Sequence, residues 1–208
     1  MSRYLTSVII GTDDDRVFQV AKSFGARVRM TRADHLSGTD RVAEVASAFP
    51  DAKLIVNIQG DEPLIDPGAI DAAILPMADD ADTPMGTIAK RIEDPHEIED
   101  PNVVKVVTDN RGLALYFSRS PIPHGGPVYW KHIGLYVYER DFLLGYSGLP
   151  VGPLEKAERL EQLRALENGH AIRVVETEYE SLGVDTPADL ERVSQLFEAS
   201  MESAKRNG

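Results

Sequence analysis

Residues 59–63, with the sequence Gln-Gly-Asp-Glu-Pro, form a polar turn whose side chains could bind a ligand. The turn follows Leu54 to Ile58, an almost unbroken apolar run that is typical of a strand buried on both faces. Ligands of open α/β sheets bind beyond the carboxyl ends of the strands, so we expect Gln59 and Asp61 at such an edge. Spacing alone also allows an ordinary loop with its polar side chains in water.

A second group of polar side chains lies in the alternating segment 130–138. Successive side chains of a strand point to opposite faces, which places His132, Tyr136 and Tyr138 on one face. Gly134 leaves room between them for a ligand. The alternative is a half-buried sheet surface whose hydroxyl groups are satisfied within the protein.

Two further segments carry polar residues beside apolar ones. The spacing predicts one helix from Pro153 to Asn168. Its polar residues form either a binding face or a solvated face: Glu158, Glu161, Gln162 and Arg164. Asp185 precedes Pro187 at the start of the last predicted helix, where an aspartate is also an ordinary N-cap.

The elements that must position these residues predict an α/β protein. Predicted strands lie at 7–12, 28–30, 54–58 and 85–92. Three helices are predicted: one starts after Asp13 to Asp15, one covers 41–49 and one starts at Asp66-Pro67. Polar connections are predicted at 31–41 and 93–100. The strand–helix alternation at the start is the signature of crossovers onto a parallel sheet. Residues 103–107 and 113–117 flank a tight turn and predict an antiparallel hairpin.

Composition limits the class of protein. The chain has 208 residues, of which 34 are acidic and 22 basic, and its formal net charge is -12. That charge opposes non-specific binding to nucleic acid or to an anionic membrane, so a bound phosphate would need locally placed cations. The sequence has no cysteine, which excludes disulfides and zinc–thiolate sites. No apolar run is long enough to span a bilayer, and we expect a single cytoplasmic domain over residues 1–208.

Six motifs occur in an order that is typical of one enzyme family. They are TRADH with SGT (31–39), QGDEP (59–63), YFSR (116–119), HIGLY (132–136), LEQLR (160–164) and GVDTP (183–187). Together they resemble 3-deoxy-manno-octulosonate cytidylyltransferase, the CMP-KDO synthetase of lipopolysaccharide biosynthesis, over nearly the whole sequence. The resemblance implies a Rossmann-like nucleotidyltransferase fold, a mostly parallel sheet flanked by helices with an antiparallel hairpin inserted.

The resemblance also implies a reaction and a cofactor. The anomeric hydroxyl of the sugar acid 3-deoxy-manno-octulosonate (KDO) would attack the α-phosphate of CTP, giving CMP-KDO and pyrophosphate. Such chemistry depends on positioning and on charge neutralisation by magnesium. Asp61 and Asp185 would be the catalytic residues that bind Mg²⁺, which takes one or two carboxylates beside substrate oxygens.

By the same resemblance, two sets of residues would hold the substrates. The cytidine would contact Arg32, Ser37, Gly38 and Thr39. The sugar acid would contact a set on a separate side of the cleft: Gln59, Arg119, His132, Tyr136, Glu161 and Gln162. Arg119 suits a carboxylate because a guanidinium can make two parallel hydrogen bonds to it. A homodimer is also implied.

The family pattern further includes an N-terminal strand, a triphosphate-gripping loop like Pro-Ala-Arg-x-x-Ser-x-Arg-Leu-Pro-Gly-Lys, and a helix. This sequence starts after that unit, so we expect the 208-residue chain to bind CTP weakly and to form no CMP-KDO. Two alternatives stay open. One is a non-catalytic protein that binds a nucleotide or a sugar acid, and the other is a related CMP-sugar synthetase that uses another acidic sugar.

Overall fold

The computed structural model describes residues 2–80, 82–184 and 186–206. The strands are β1 (Ile10–Thr12), β2 (Val28–Met30), β3 (Leu54–Asn57), β4 (Met85–Arg91), β5 (Lys105–Thr108), β6 (Ala114–Ser118), β7 (Trp130–Glu139) and β8 (Ile172–Glu176). The helices are α1 (Asp15–Ser23), α2 (Gly38–Ser47), α3 (Pro67–Asp79), α4 (Pro95–Glu99), α5 (Arg140–Gly145), α6 (Pro153–Glu158), α7 (Leu163–Glu167) and α8 (Pro187–Arg206). A 3-10 turn spans Tyr146–Gly148. Within these ranges, no helix is long and apolar enough to cross a membrane.

The ten-residue strand β7 lies at the centre of the larger sheet. One of its edges pairs antiparallel with β4, from Trp130 to Tyr138. Its other edge pairs antiparallel with β3 at residues 136–139 and with β5 at Lys131. β8 continues the sheet in parallel beyond β4, and β6 continues it beyond β5 as the predicted hairpin. The predicted α/β class, with helices flanking the sheet, is therefore confirmed.

The partner of β3 differs from the sequence prediction. The strand–helix alternation predicts that the first three strands share one parallel sheet, and β1 and β2 do form a parallel pair. β3 instead pairs antiparallel with β7, which is distant in the sequence. Pairing between distant strands is decided by tertiary packing, so a local pattern carries little information about it. The connection predicted at 93–100 also contains a short helix, α4.

Apolar side chains pack on both faces of the larger sheet. On one face, α3 places Ile70 and Ala73 against Ile133, Leu135 and Val137 of β7. Helices α2, α5 and α7 contribute to the core on the other face, whose largest buried side chains include Phe117, Tyr138, Leu143, Tyr146, Leu163 and Ile172. Alternate side chains of β7 therefore pack into two different cores, one on each face of the sheet.

A bulge interrupts the pairing of β4 with β7. Thr87 pairs with Tyr136, whereas the next residue, Ile88, pairs with Ile133. Gly134 and Leu135 consequently have no partner on β4. The bulge adds two residues to β7, and side chains of a strand alternate with a period of two. Each side chain of β7 therefore stays on the same face of the sheet on both sides of the bulge.

Helix α2 begins earlier than the sequence predicts. The prediction was a polar loop up to Arg41 followed by a helix over 41–49, whereas the helix observed spans Gly38–Ser47. Ser37 is its N-cap, and the side chain accepts a hydrogen bond from the backbone N–H of Asp40 at 3.2 Å. A serine cap satisfies a backbone donor that the helix leaves free. Gly38 and Thr39 consequently lie in a first helical turn and not in a loop.

The single helix predicted over 153–168 is wrong, because the chain forms two helices there, α6 and α7. Arg159 directly follows α6 and has φ 54° and ψ 46°, in the left-handed region that L-residues adopt at a cost. The carboxylate of Glu167 accepts hydrogen bonds from two backbone N–H groups in the first turn of α6. Gly152 lies so close to this carboxylate that a Cβ on Gly152 would be 2.2 Å from the carboxylate carbon. The helical spacing of polar and apolar residues continues from α6 into α7, and no glycine lies between the two helices. The sequence pattern therefore does not reveal the break at Arg159.

We expect Arg159→Gly to raise the free energy of unfolding by about 0.5–1 kcal/mol, because glycine adopts the left-handed region without a Cβ clash. Arg159 is exposed, so little contact is lost. Urea unfolding followed by circular dichroism measures the change. Arg159→Ala is the matched control, since it removes the same side chain and keeps the Cβ. A glycine variant no more stable than the alanine variant would contradict this account of the break.

Candidate active site

The polar face of β7 forms the floor of the candidate site. The ring centroids of His132 and Tyr136 are 5.4 Å apart, and those of Tyr136 and Tyr138 are 5.9 Å apart. Phe117 of β6 meets the His132 ring edge-on at 5.1 Å. His132 and Tyr136 are half-buried, whereas Tyr138 is buried. The shared face predicted for the histidine and the two tyrosines is confirmed.

Asn57, at the end of β3, connects the polar turn 59–63 to this floor. It pairs with Tyr136 in the ladder between β3 and β7, and only 3% of it is exposed. Its Oδ1 accepts a hydrogen bond from Nε2 of Gln59 at 3.2 Å, while its Nδ2 is buried without a partner among the described residues. Leaving a buried donor unpaired costs about 1–3 kcal/mol. Asn57 was not among the residues predicted from the sequence, although an isolated amide in an apolar run is the signal that could have revealed it.

The N-terminus of α2 lies against the same floor. Thr39 donates from Oγ1 to Oε2 of Glu161 at 3.1 Å. A Cβ built on Gly38 would lie 3.5 Å from Oε1 of Gln59, so the Gln59 amide packs directly on Gly38. The family resemblance implies that the cytidine residues and the sugar-acid residues lie on separate sides of the cleft. These two contacts bring members of both sets together at the start of α2.

Glu161 lies in the break between α6 and α7 and contacts two other elements. Its carboxylate accepts from Thr39, and its backbone carbonyl accepts from the hydroxyl of Tyr146 at 2.8 Å. Its Oε1 is buried and has no hydrogen-bond partner in the described part of the chain. Burial raises the pKa of the Glu161 carboxyl, against the opposing effects of the Thr39 hydroxyl, the Arg164 charge and the Ser37 hydroxyl. The neighbouring Gln162 is buried.

Arg119 follows β6 and is held by Glu158 at the end of α6. The backbone N–H of Arg119 donates to Oε2 of Glu158 at 2.9 Å, and its Nε donates to the Glu158 carbonyl at 2.8 Å. Its Nη1 donates to the carbonyl of Pro101 at 2.9 Å, and Ser118 donates to Oε1 of Glu158 at 2.7 Å. Nη2 has no hydrogen-bond partner among the described residues, so donors remain for a ligand. Glu158 therefore anchors Arg119, a role that the helical spacing did not indicate.

Arg32 makes its polar contacts away from this floor. Its side chain is 69% exposed, and its Nε lies 3.4 Å from Oδ1 of Asp34 and 3.7 Å from Oε2 of Glu44. It borders a groove of about 480 Å³ that is also lined by His35, whose ring bonds to Glu44. No described hydrogen bond or ion pair links Arg32 to the floor on β7.

Sequence comparisons assign the family. The model for cytidylyltransferases matches residues 1–174. A 3-deoxy-manno-octulosonate cytidylyltransferase from Solibacter usitatus (strain Ellin6076) is 72% identical over 213 residues, which cover 100% of this chain and 84% of that relative. This chain belongs to the 3-deoxy-manno-octulosonate cytidylyltransferase family. A second relative of that name, from Syntrophotalea carbinolica, is 57% identical over 89% of the chain and 79% of its own length.

A solved structure supports the same assignment. The CMP:2-keto-3-deoxy-manno-octonic acid synthetase, solved in complex with CTP, superimposes on this chain with a TM-score of 0.90 and 43% sequence identity. The superposition covers 96% of this chain and 84% of that structure. The nucleotidyltransferase fold expected from the sequence motifs is therefore confirmed.

Burial sets the charge state of the floor in this cytidylyltransferase. Burial lowers the pKa of His132 to about 3, so its imidazole is neutral at neutral pH. Burial also raises the pKa of Tyr136 well above its ordinary value, and the Glu161 carboxylate adds to the effect. Both side chains therefore offer neutral hydrogen-bonding groups. Positive charge for an anionic ligand has to come from outside the floor, and Arg119 is one motif residue that carries it.

Asp61 lies in an exposed turn beyond β3. Its backbone carbonyl accepts a hydrogen bond from the N–H of Val184 at 2.9 Å. Its carboxylate makes no hydrogen bond or ion pair with another described residue. Asp185, the second predicted metal ligand, lies outside the described residues. Within those residues no group of three acidic, histidine or cysteine side chains could hold a metal by itself. A free exposed carboxylate nevertheless fits Mg²⁺, which needs only one or two when phosphate oxygens supply other ligands.

We expect Glu161→Gln to raise the free energy of unfolding at neutral and alkaline pH by about 1 kcal/mol, because glutamine has no charge to bury. The folded-state pKa of Glu161 is raised above the ordinary value of 4.5. Ionisation is thus harder in the folded state, and stability falls as the pH rises through the folded-state pKa. Below the unfolded pKa the cost is absent, so the two proteins should be nearly equal in stability near pH 4.

Urea unfolding at a series of pH values measures this difference. Glu178→Gln is the matched control, because Glu178 is exposed and has no hydrogen bond in the described structure. The control should follow the wild-type curve at every pH. A Glu161→Gln variant less stable than wild type at alkaline pH would show that the carboxylate stabilises the fold and would contradict the inferred cost.

Proposed function

We propose that this chain transfers CMP from CTP to KDO, forming CMP-KDO and pyrophosphate. The observation that carries the proposal is that two buried polar atoms of this site, Nδ2 of Asn57 and Oε1 of Glu161, have no hydrogen-bond partner among the described residues. Both belong to residues that lie against the floor on β7. Such atoms are costly in a folded protein and are retained where a ligand supplies the missing hydrogen bonds. The names and high identity of the relatives support the same activity.

The chemistry of the floor suits a polyhydroxylated acid. A hydroxyl group both donates and accepts, so a sugar can satisfy the amide donor of Asn57 and the carboxylate acceptor of Glu161. Tyr136 and His132 add neutral polar groups. The carboxylate of the sugar acid would pair with Arg119, whose Nη2 keeps its donors free of described partners. Gln59 and Gln162 would complete the sugar-acid side.

We assign the nucleotide to the adjoining residues. Arg32, Ser37, Gly38 and Thr39 would hold the cytidine. The positive end of α2 at Ser37 favours negative charge nearby. Since Gly38 packs on Gln59 and Thr39 bonds to Glu161, the nucleotide and the sugar acid would be bound side by side.

The proposed reaction is a displacement at phosphorus. The anomeric oxygen of KDO releases its proton to solvent water and forms a bond to the α-phosphorus, while the bond from that phosphorus to the bridging oxygen breaks and pyrophosphate leaves. The residues of the floor hold the two substrates in reactive proximity. Mg²⁺, held by Asp61 and Asp185 together with phosphate oxygens of CTP, would neutralise charge on the phosphates. The proposal includes a cytoplasmic location and a homodimer, both implied by the family resemblance.

Pyrophosphate release tests the proposed function. The assay supplies the chain with CTP, KDO and Mg²⁺ and then omits each of the three in turn. We expect release only when all three are present, and KDO binding in a separate titration. A nine-carbon sugar acid in place of KDO tests the related synthetase.

The outcomes separate the alternatives. Pyrophosphate release that requires KDO would support the proposed function. KDO binding without pyrophosphate release would favour the non-catalytic binding protein. If the chain neither releases pyrophosphate nor binds KDO, the proposed function is wrong.

We expect Asp61→Asn to lower pyrophosphate release by about 100-fold or more. Asparagine keeps the shape of the side chain but loses the charge that would hold Mg²⁺. Asp51→Asn is the matched control, because Asp51 also lies in an exposed turn without a described side-chain contact. Rates are measured over a Mg²⁺ titration. Unchanged rate and Mg²⁺ dependence in Asp61→Asn would remove Asp61 from the metal site.

A further inference from the structure

Thr87 lies at the bulge between β4 and β7 and is fully buried. Its Oγ1 lies 2.8 Å from the carbonyl oxygen of Leu135 and 3.3 Å from that of Ile133. It also lies 2.9 Å from Nε2 of His132. A single hydroxyl group, with one hydrogen to donate, therefore meets three possible partners.

The partners decide the direction of each hydrogen bond. A carbonyl oxygen can only accept, so the hydrogen of the Thr87 hydroxyl goes to a carbonyl, and Leu135 offers the shorter distance. The hydroxyl oxygen then has only lone pairs to offer His132. Nε2 of His132 must therefore carry a hydrogen and donate it to Thr87. The opposite arrangement would turn the Thr87 hydrogen away from both carbonyls at the bulge, which is costly in a buried site.

We propose that Thr87 is a positioning residue that fixes His132 as the Nε2–H tautomer, so that Nδ1 accepts a hydrogen bond from a hydroxyl group of the bound sugar acid. The identity of that ligand rests on the proposed function. Nδ1 makes no hydrogen bond with a described residue, so it is free to accept one. The rings of Phe117 and Tyr136 contact the imidazole and restrict its rotation.

Because its imidazole is neutral, His132 can discriminate between the hydroxyl groups and the carboxylate of the ligand. Burial lowers the pKa of His132 to about 3, so only one ring nitrogen carries a hydrogen at neutral pH. With that hydrogen held at Nε2 by Thr87, Nδ1 presents a lone pair. A lone pair attracts a hydroxyl group and repels a carboxylate. The pair Thr87 and His132 therefore favours a hydroxyl group of the sugar acid at this point and leaves its carboxylate for Arg119.

Nitrogen-15 NMR of histidine-labelled chain reads the tautomer directly and without substrate. The His132 signals are identified by their loss in His132→Gln, since the chain has five histidines. We expect the wild-type and Thr87→Ser proteins to carry the hydrogen on Nε2 at neutral pH. Thr87→Val has nearly the same shape but no hydroxyl, and should show a mixture of tautomers. A wild-type Nδ1–H tautomer, or an unchanged tautomer in folded Thr87→Val, would overturn the proposal.

KDO titration calorimetry tests the consequence for binding. We expect Thr87→Val to bind KDO about tenfold more weakly, and Thr87→Ser to bind nearly as wild type does. A merely structural role of Thr87 would not produce this split together with the tautomer change. Unchanged KDO affinity in folded Thr87→Val would overturn the binding role. Absence of KDO binding in the wild type would overturn the ligand assignment with the proposed function, while the NMR result would still decide the tautomer.

Discussion

The pairing of β7 along both of its edges is the constraint on which the candidate site depends. β4 holds one edge, and β3 and β5 hold the other, so a change of register would break several ladders at once. With the backbone fixed, the two-residue period directs Ile133 and Leu135 toward α3 and His132 and Tyr136 to the opposite face. A slip by one residue would move both polar rings into the apolar core beneath α3. The apolar core beneath α3 and the candidate site therefore require the same register of β7.

Both faces of the sheet carry an apolar core, and one of them also carries the candidate site. The face beneath α3 is a closely packed apolar cluster. The opposite face holds Asn57 and Glu161, each with a buried polar atom that lacks a partner in the described part of the chain, beside a histidine that burial keeps neutral. The two unpaired polar atoms lower stability in the absence of a ligand. A protein tolerates such a cost where function requires it and compensates elsewhere in the fold.

Features that depend on local chemistry could be predicted from the sequence. The alternation of β7, the hairpin of β5 and β6 and the cap at Asp66 all follow from short patterns, and the structure has each of them. The partner of β3 could not be predicted, because it joins segments that are distant in the chain. The break at Arg159 escapes the pattern because no glycine or proline marks it. Asn57 and Thr87 matter through burial and through the bulge, and both properties exist only in the folded chain.

A crystal structure of the chain with KDO tests most directly whether the polar face of β7 is the binding site. The account predicts sugar-acid oxygens about 3 Å from Nδ2 of Asn57 and about 2.7 Å from Oε1 of Glu161. It also predicts the carboxylate of KDO within about 3 Å of Nη2 of Arg119. KDO bound elsewhere, with the Asn57 and Glu161 atoms still unpaired, would contradict the account.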